Sequence, residues 1–165
     1  MVWIASLNSL GAFSNIPQTF THLELRIFAR STETGSVVNM YGRFNADGSA
    51  IYGGHTLAGD GSGASSGSYL AYDAWEVGAF PAASSTANVF GVSVIQILDY
   101  TNTNKFKTVR NLIGADFNGS GNVSLRSALW RSTAAISSIN FTYPPLASGS
   151  RFDLYGITSS QVTGA

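Results

Sequence analysis

The sequence predicts an all-β fold, an antiparallel two-sheet β-sandwich of jelly-roll type. Three observations carry this expectation. Apolar and polar residues alternate with a period of two in several short segments, and no segment sustains a helical period over three turns. Turn-forming Asn, Asp, Gly and Pro separate those segments at short intervals, which suits about eight to ten strands closed into two packed sheets. Residues 89–98 are rich in Val, Ile and Phe and contain no proline that would remove a ladder donor, so they read as a central strand.

Each element follows from its own pattern. Residues 1–13 are mildly apolar and interrupted by Ser6, Asn8 and Ser9, which suits a first strand. Residues 21–30 place Leu23, Leu25, Ile27 and Ala29 on one face and His22, Glu24, Arg26 and Arg30 on the other, the alternation of a strand with one wet face. Phe28 breaks that wet face, and a protein contact would cover it. Residues 37–45 form the next strand, and Ala46-Asp47-Gly48 turns the chain toward Ile51 and Tyr52. Residues 53–68 are dominated by Gly, Ser and Ala, so they are expected to be a long, mobile surface loop that neighbouring subunits could order.

After the central strand, Tyr100-Thr101-Asn102-Thr103-Asn104-Lys105 makes one turn and Asn118-Gly119-Ser120-Gly121-Asn122 makes a second. Residues 119–130 then set Val123, Leu125, Ser127 and Leu129 on one side. With those leucines inward, Trp130 points outward, and an exposed tryptophan implies a partner. Ser137, Ile139 and Phe141 share one side of the following strand, which Pro144-Pro145 stops. Residues 151–157 close the fold, leaving 158–165 as a tail.

Composition sets the limits on function. At 165 residues the chain fits one domain spanning 1–165, with enough length for a single core. Charged residues are only 11 %, against about 25 % in an average soluble protein. Nine Lys and Arg balance nine Asp and Glu, so there is no basic footprint for nucleic acid or acidic lipid, and near-zero net charge favours association. Without cysteine there is no disulfide framework and no thiolate metal site. Residues 1–13 lack the basic start of a secretory leader, and no apolar run approaches the ~18 residues of a membrane-spanning helix, so no membrane partner is expected.

Motifs for catalysis fail one at a time. Gly63-Ala64-Ser65-Ser66-Gly67 matches a hydrolase nucleophile elbow in letters, yet that chemistry needs a strand entering and a helix leaving the serine. Neither His22 nor His55 has a sequence reason to approach Ser65. Gly59-Asp60-Gly61-Ser62-Gly63 has no following lysine or helix to make a phosphate cradle. Asp116-Phe117-Asn118-Gly119-Ser120-Gly121 imitates the first half of a calcium loop, but the bidentate acid at its twelfth position is Ser127 instead. The nine acids cannot be paired by sequence into a glycosidase site. No catalytic, cofactor-binding or metal-binding residue is therefore assigned, and the protein is not expected to be an enzyme.

Aromatic residues remain as candidates. Trp3, Phe28, Trp75, Phe80 and Trp130 are the candidate interface residues, because large rigid rings supply contact area at low entropic cost. Trp75, Phe80 and Trp130 could combine with Tyr69 and Tyr72 into an interface hot spot or a platform on which a sugar stacks, although most of these rings are expected in the core.

Four segments carry a resemblance: Ile16-Pro17-Gln18-Thr19-Phe20-Thr21-His22-Leu23, Asn88-Val89-Phe90-Gly91 through Asp99-Tyr100-Thr101-Asn102-Thr103-Asn104-Lys105, Ser127-Ala128-Leu129-Trp130, and Leu154-Tyr155-Gly156-Ile157. Together they resemble a virion module of tailed bacteriophages. The resemblance implies a jelly-roll sandwich used in capsid decoration or in tail fibres, with no catalytic residues to transfer. The module fills the chain and leaves no length for a stalk, so the expectation is a capsid decoration, or cement, protein on the outer surface of the head. Its partners would be the major capsid protein and its own copies in a homotrimer. The alternative is a tail-fibre or appendage module that binds host-surface carbohydrate.

Overall fold

A computed structural model describes residues 1–117 and 120–158. Among these the chain forms β1 (Val2–Leu7), β2 (Ala12–Phe13), β3 (His22–Ala29), β4 (Val37–Phe44), β5 (Tyr52–Gly59) and β6 (Ala64–Tyr72). The second half supplies β7 (Trp75–Pro81), β8 (Gly91–Leu98), β9 (Lys107–Asp116), β10 (Gly121–Trp130), β11 (Ile139–Tyr143) and β12 (Arg151–Ile157). An eight-stranded sheet has the order β1-β12-β3-β8-β9-β10-β5-β6, and a four-stranded sheet the order β2-β11-β4-β7. The expected antiparallel β-sandwich is present, with more strands than the turn spacing suggested.

Its pairings are nested. β8 pairs β9, β5 pairs β10, β4 pairs β11 and β3 pairs β12, all antiparallel. The chain is therefore a long ribbon folded back on itself and rolled, which is the jelly-roll principle. β4 and β11 cross together into the smaller sheet and return together, so the two sheets share one core. Leu23, Leu25 and Ile27 of β3, Ile95 and Ile97 of β8, and Phe152 and Leu154 of β12 fill one side of that core. Met40, Phe44, Val77, Phe80, Ile139 and Phe141 meet them from the four-stranded sheet. The inward set expected for β3 is thus the observed one.

Two expectations are corrected here. Residues 53–68, expected as a mobile loop, are most of the β5–β6 hairpin. β5 pairs with β10 along its whole length, from Tyr52 opposite Trp130 to Gly59 opposite Val123, so its backbone hydrogen bonds are supplied by a neighbour, whatever its side chains are. Gly54 is required there, because a Cβ would lie 2.4 Å from the Ser127 carbonyl oxygen and inside the Tyr69 ring. At the hairpin tip, Asp60 Oδ1 accepts the N–H groups of Ser62 and Gly63 at 2.9 Å each, and Gly61 takes the left-handed backbone that the turn demands.

The second correction concerns β10. Ser124, Ala128 and Trp130 are buried, while Val123 and Leu125 face solvent, so the strand has the opposite phase to the expected one. Trp130 is only 2 % exposed and Trp75 and Phe80 are fully buried, so three of the five candidate interface aromatics are core residues. Phe44 stacks on Trp75 at 5.3 Å and meets Trp130 at 5.7 Å, forming the aromatic centre of the sandwich. The expected turn at Asn118-Gly119 and the tail from 159 onward lie outside the described residues.

Candidate functional site: the outer face of the large sheet

The inverted phase of β10 extends to its neighbours. On β8, β9 and β10 the buried positions include Ser93, Asn111 and Ser124, with Arg126 turned to the same side. The positions facing water are Val92, Val94, Leu112, Val123 and Leu125, joined by Leu57 of β5. In this part of the sheet the leucines point out and the polar groups point in.

Ser93, Asn111 and Arg126 each have a partner inside, while the buried Trp75 indole N–H has no hydrogen-bond acceptor among the described residues. Ser93 Oγ donates to Asn111 Oδ1 at 2.6 Å, and the Asn111 amide donates to the Val77 carbonyl on the opposing sheet. The Arg126 guanidinium pairs with the Glu76 carboxylate of β7. Buried polar groups cost little when every partner is present, so the four-stranded sheet decides which side of β9 and β10 faces it.

Strand register lines the outward residues into a row. Val94 lies opposite Leu112, Leu112 opposite Leu125, and Leu125 opposite Leu57. Directly opposed side chains stand about 4.5–5.5 Å apart, so these four form one continuous apolar ridge across four strands. A parallel row adds Phe28 opposite Val92, and Val123 beyond Gly114. Phe28 stacks flat on Phe90 at 4.6 Å and remains 46 % exposed.

Charge surrounds the ridge. Arg26 pairs with Glu24 at 2.9 Å and sits over the Tyr155 ring at 5.1 Å. Arg151 pairs with Asp153 at 2.9 Å, and this hydrogen bond, with help from Ser6 and against burial, lowers the Asp153 carboxyl below its ordinary value. Arg110 donates to Gln96 Oε1 at 2.7 and 3.2 Å beside Leu112. Trp3 lies on the same face at its β1 edge, opposite Tyr155, with its indole N–H on Ser6 Oγ at 3.0 Å. Of the five candidate aromatics, Trp3 and Phe28 are thus on this surface.

The residues singled out for catalysis are scattered. Ser65 lies within β6 opposite Ala58, and the chain continues as strand. His22 Nδ1 accepts the Asp99 N–H at 2.9 Å, whereas His55 Nδ1 lies 3.3 Å from Ser127 Oγ on the exposed outer face. Three strands separate the two histidines. Gly59 to Gly63 form the β5–β6 tip, and Asn118-Gly119 of the calcium-like segment fall outside the described residues. Among the described residues no three His, Asp or Glu side chains gather as a metal site, and no helix is long and apolar enough to cross a membrane.

No match identifies a family. Comparison with protein families, with curated proteins and with solved structures finds nothing similar to this chain. The outer face was the part that sequence reasoning missed. A period-two pattern has two phases, and the signal that selects the right one is Trp130, whose volume outweighs Leu129 and which shares its side with Ser124 and Arg126.

Proposed function

We propose that this protein is a virion structural protein, a decoration protein that binds the outside of a phage head through the outer face of its eight-stranded sheet. The observation that carries the reading is the ridge of Val94, Leu112, Leu125 and Leu57, exposed while polar neighbours are buried. Six half-exposed aliphatic side chains make a patch on the order of a few hundred Å², the size at which exposed apolar surface marks an interaction site. The resemblance to phage virion modules supplies the biological setting.

The mechanism is thermodynamic. Covering the exposed half of each such side chain is worth about 1 kcal/mol, and the surplus over the cost of association appears as affinity. A protein that binds the assembled lattice of major capsid protein, and not its free subunits, stabilises the lattice by mass action. A homotrimer fits the three-fold positions of a capsid, since closed cyclic symmetry is the usual arrangement of identical subunits. Neither cofactor nor catalytic group has a part in this role.

Particles lacking the protein test the reading. They are expected to release DNA at lower temperature or under osmotic shock, and purified protein added back is expected to restore resistance. Sedimentation is expected to show the trimer. Depleted particles that keep full heat resistance but fail to adsorb to cells would replace this reading with the tail-appendage alternative.

A further inference from the structure

We propose that the cavity lined by Asn39, Tyr41, Tyr69, Tyr72, Ala74 and Glu76 binds one neutral saccharide residue. This site is separate from the apolar ridge and does not depend on where the protein sits in a virion. Its residues come from both sheets: Asn39 and Tyr41 from β4, Glu76 from β7 with Ala74 just before it, and Tyr69 and Tyr72 from β6. With a volume of about 220 Å³ it is smaller than the roughly 300–1,000 Å³ of drug-sized sites and suits a single ring.

Two irregularities in the ladders build it. In β6 the register jumps from Tyr72 opposite Tyr52 to Leu70 opposite Gly53, leaving Ala71 as an extra residue with φ of 61°. An alanine in the left-handed region is strained, and such strain persists where the surroundings enforce it. Its effect is specific. Leu70 and Tyr72 would otherwise share the outer face, but the bulge turns Tyr72 to the side of Tyr69, and the two rings meet edge to face at 5.1 Å. A second shift places Tyr41 opposite Glu76, with Val77 as the extra residue of β7.

Tyr69 is held by design on both ends. Its ring occupies the space a Gly54 Cβ would take, at 2.7–2.8 Å, and its hydroxyl accepts the Glu76 N–H at 3.2 Å. The cavity is thereby organised before any ligand arrives, which removes part of the ordering cost of binding.

The chemistry selects the ligand class. Tyrosine rings offer flat apolar faces to the C–H groups of a sugar ring and hydroxyls to its rim. Three tyrosines and a carboxylate would also suit a quaternary ammonium, but the Glu76 charge is neutralised by Arg126 behind the wall. Those two side chains are 17 % and 11 % exposed, sheltered enough for hydrogen bonds from sugar hydroxyls to the carboxylate to count. Tyrosine rings set edge to face, a charge-paired carboxylate and the Asn39 amide match a neutral polyhydroxyl ring and neither an ion nor a hydrocarbon.

Saturation-transfer NMR with the intact protein and the methyl glycosides of glucose, galactose, mannose and N-acetylglucosamine tests this. At least one glycoside is expected to receive saturation at its ring C–H positions and to bind with Kd on the order of millimolar, the range of a few weak contacts. Tyr72→Ala, half-exposed and away from the core, is expected to keep its urea midpoint and weaken binding by about tenfold or more, which is about 1.4 kcal/mol. Tetramethylammonium binding more tightly than every glycoside would overturn the proposal in favour of a cation cage. Absence of transfer to all four glycosides, or transfer unchanged in Tyr72→Ala, would also overturn it while leaving the decoration reading untouched.

Discussion

The indole N–H of Trp130 donates to Asp47 Oδ2 across 3.0 Å, tying the end of β10 to the turn between β4 and β5. Asp47 Oδ1 meanwhile accepts the Ser49 N–H at 2.9 Å, so one carboxylate closes the turn and anchors the largest core side chain of β10. Tyr52 completes the corner, donating its hydroxyl to the Asp47 carbonyl at 3.1 Å and accepting the Phe44 N–H at 3.0 Å.

Trp130 is therefore a residue of stability. Trp130→Ala is expected to cost about 3–5 kcal/mol, the usual loss for a buried aromatic, read as a lowered urea midpoint. Trp130→Phe keeps most of the packing and loses the bond to Asp47, so it is expected to cost less, about 1.5–3 kcal/mol. A Trp130→Ala protein with wild-type stability would contradict this placement.

Acid should destabilise the fold along a definable limb. Asp47 is held below its ordinary value of 3.8, chiefly by the Ser49 N–H, then by the Ser49 hydroxyl and the Trp130 indole, against burial. Asp99 is lowered chiefly by Lys105, and Asp153 chiefly by Arg151. A carboxyl whose folded value lies below its unfolded value adds stability above the unfolded value and loses it as pH falls through the folded one. Stability is therefore expected to hold above pH 4 to 5 and to decline below about 3.8. Asp47→Asn should flatten that decline in urea titrations run between pH 2 and 5, the range that brackets ordinary carboxyl values.

The outer ridge should be dispensable for folding. Leu112→Lys with Leu125→Glu alters two directly opposed side chains that are 54 % and 47 % exposed and sets opposite charges across the strands, so stability is expected to change by no more than about 0.5 kcal/mol each. The same pair should abolish restoration of heat resistance to depleted particles. Loss of folding in this variant would mean that the ridge is not a free surface.

Lys107 offers a contrasting test. Fully buried, its ammonium donates to the carbonyls of Lys105 and Thr133 at 3.1 Å each and to that of Asn102, gathering the Tyr100–Lys105 turn around one charge. Burial, and then the neighbouring Lys105 charge, lower its pKa. Lys107→Met leaves these carbonyls without their donor, and a loss of about 1–3 kcal/mol is expected in thermal or urea unfolding.

The two cavity tyrosines and the inward face of β10 were legible in the residues to different degrees. Tyr69 and Tyr72 were legible as members of an aromatic platform, yet nothing in the residue pattern shows the bulge at Ala71 that brings them together. No sequence pattern marks Arg126 as sheltered, because its partner Glu76 is 50 residues away in the chain and on the other sheet.

Residues 22–29 carried their own answer: four apolar side chains on one face and charge on the other leave a single phase that burial can favour, and no neighbour is needed to choose it. The same is true of the all-β class, which follows from short alternating runs and the turns between them. Residues 53–68 and 121–130 carried no such answer. In the first, the small side chains of 64–68 are exposed on both faces and show no alternation, and the hairpin exists because β10 supplies the hydrogen bonds of β5, which supplies those of β6. In the second, both faces hold apolar residues, and the buried one is chosen by what the opposite sheet presents: a carboxylate at Glu76 for Arg126 and an aromatic cluster for Trp130. Periodicity defines a pair of faces, but only the free energy of contact with the opposing layer selects between them.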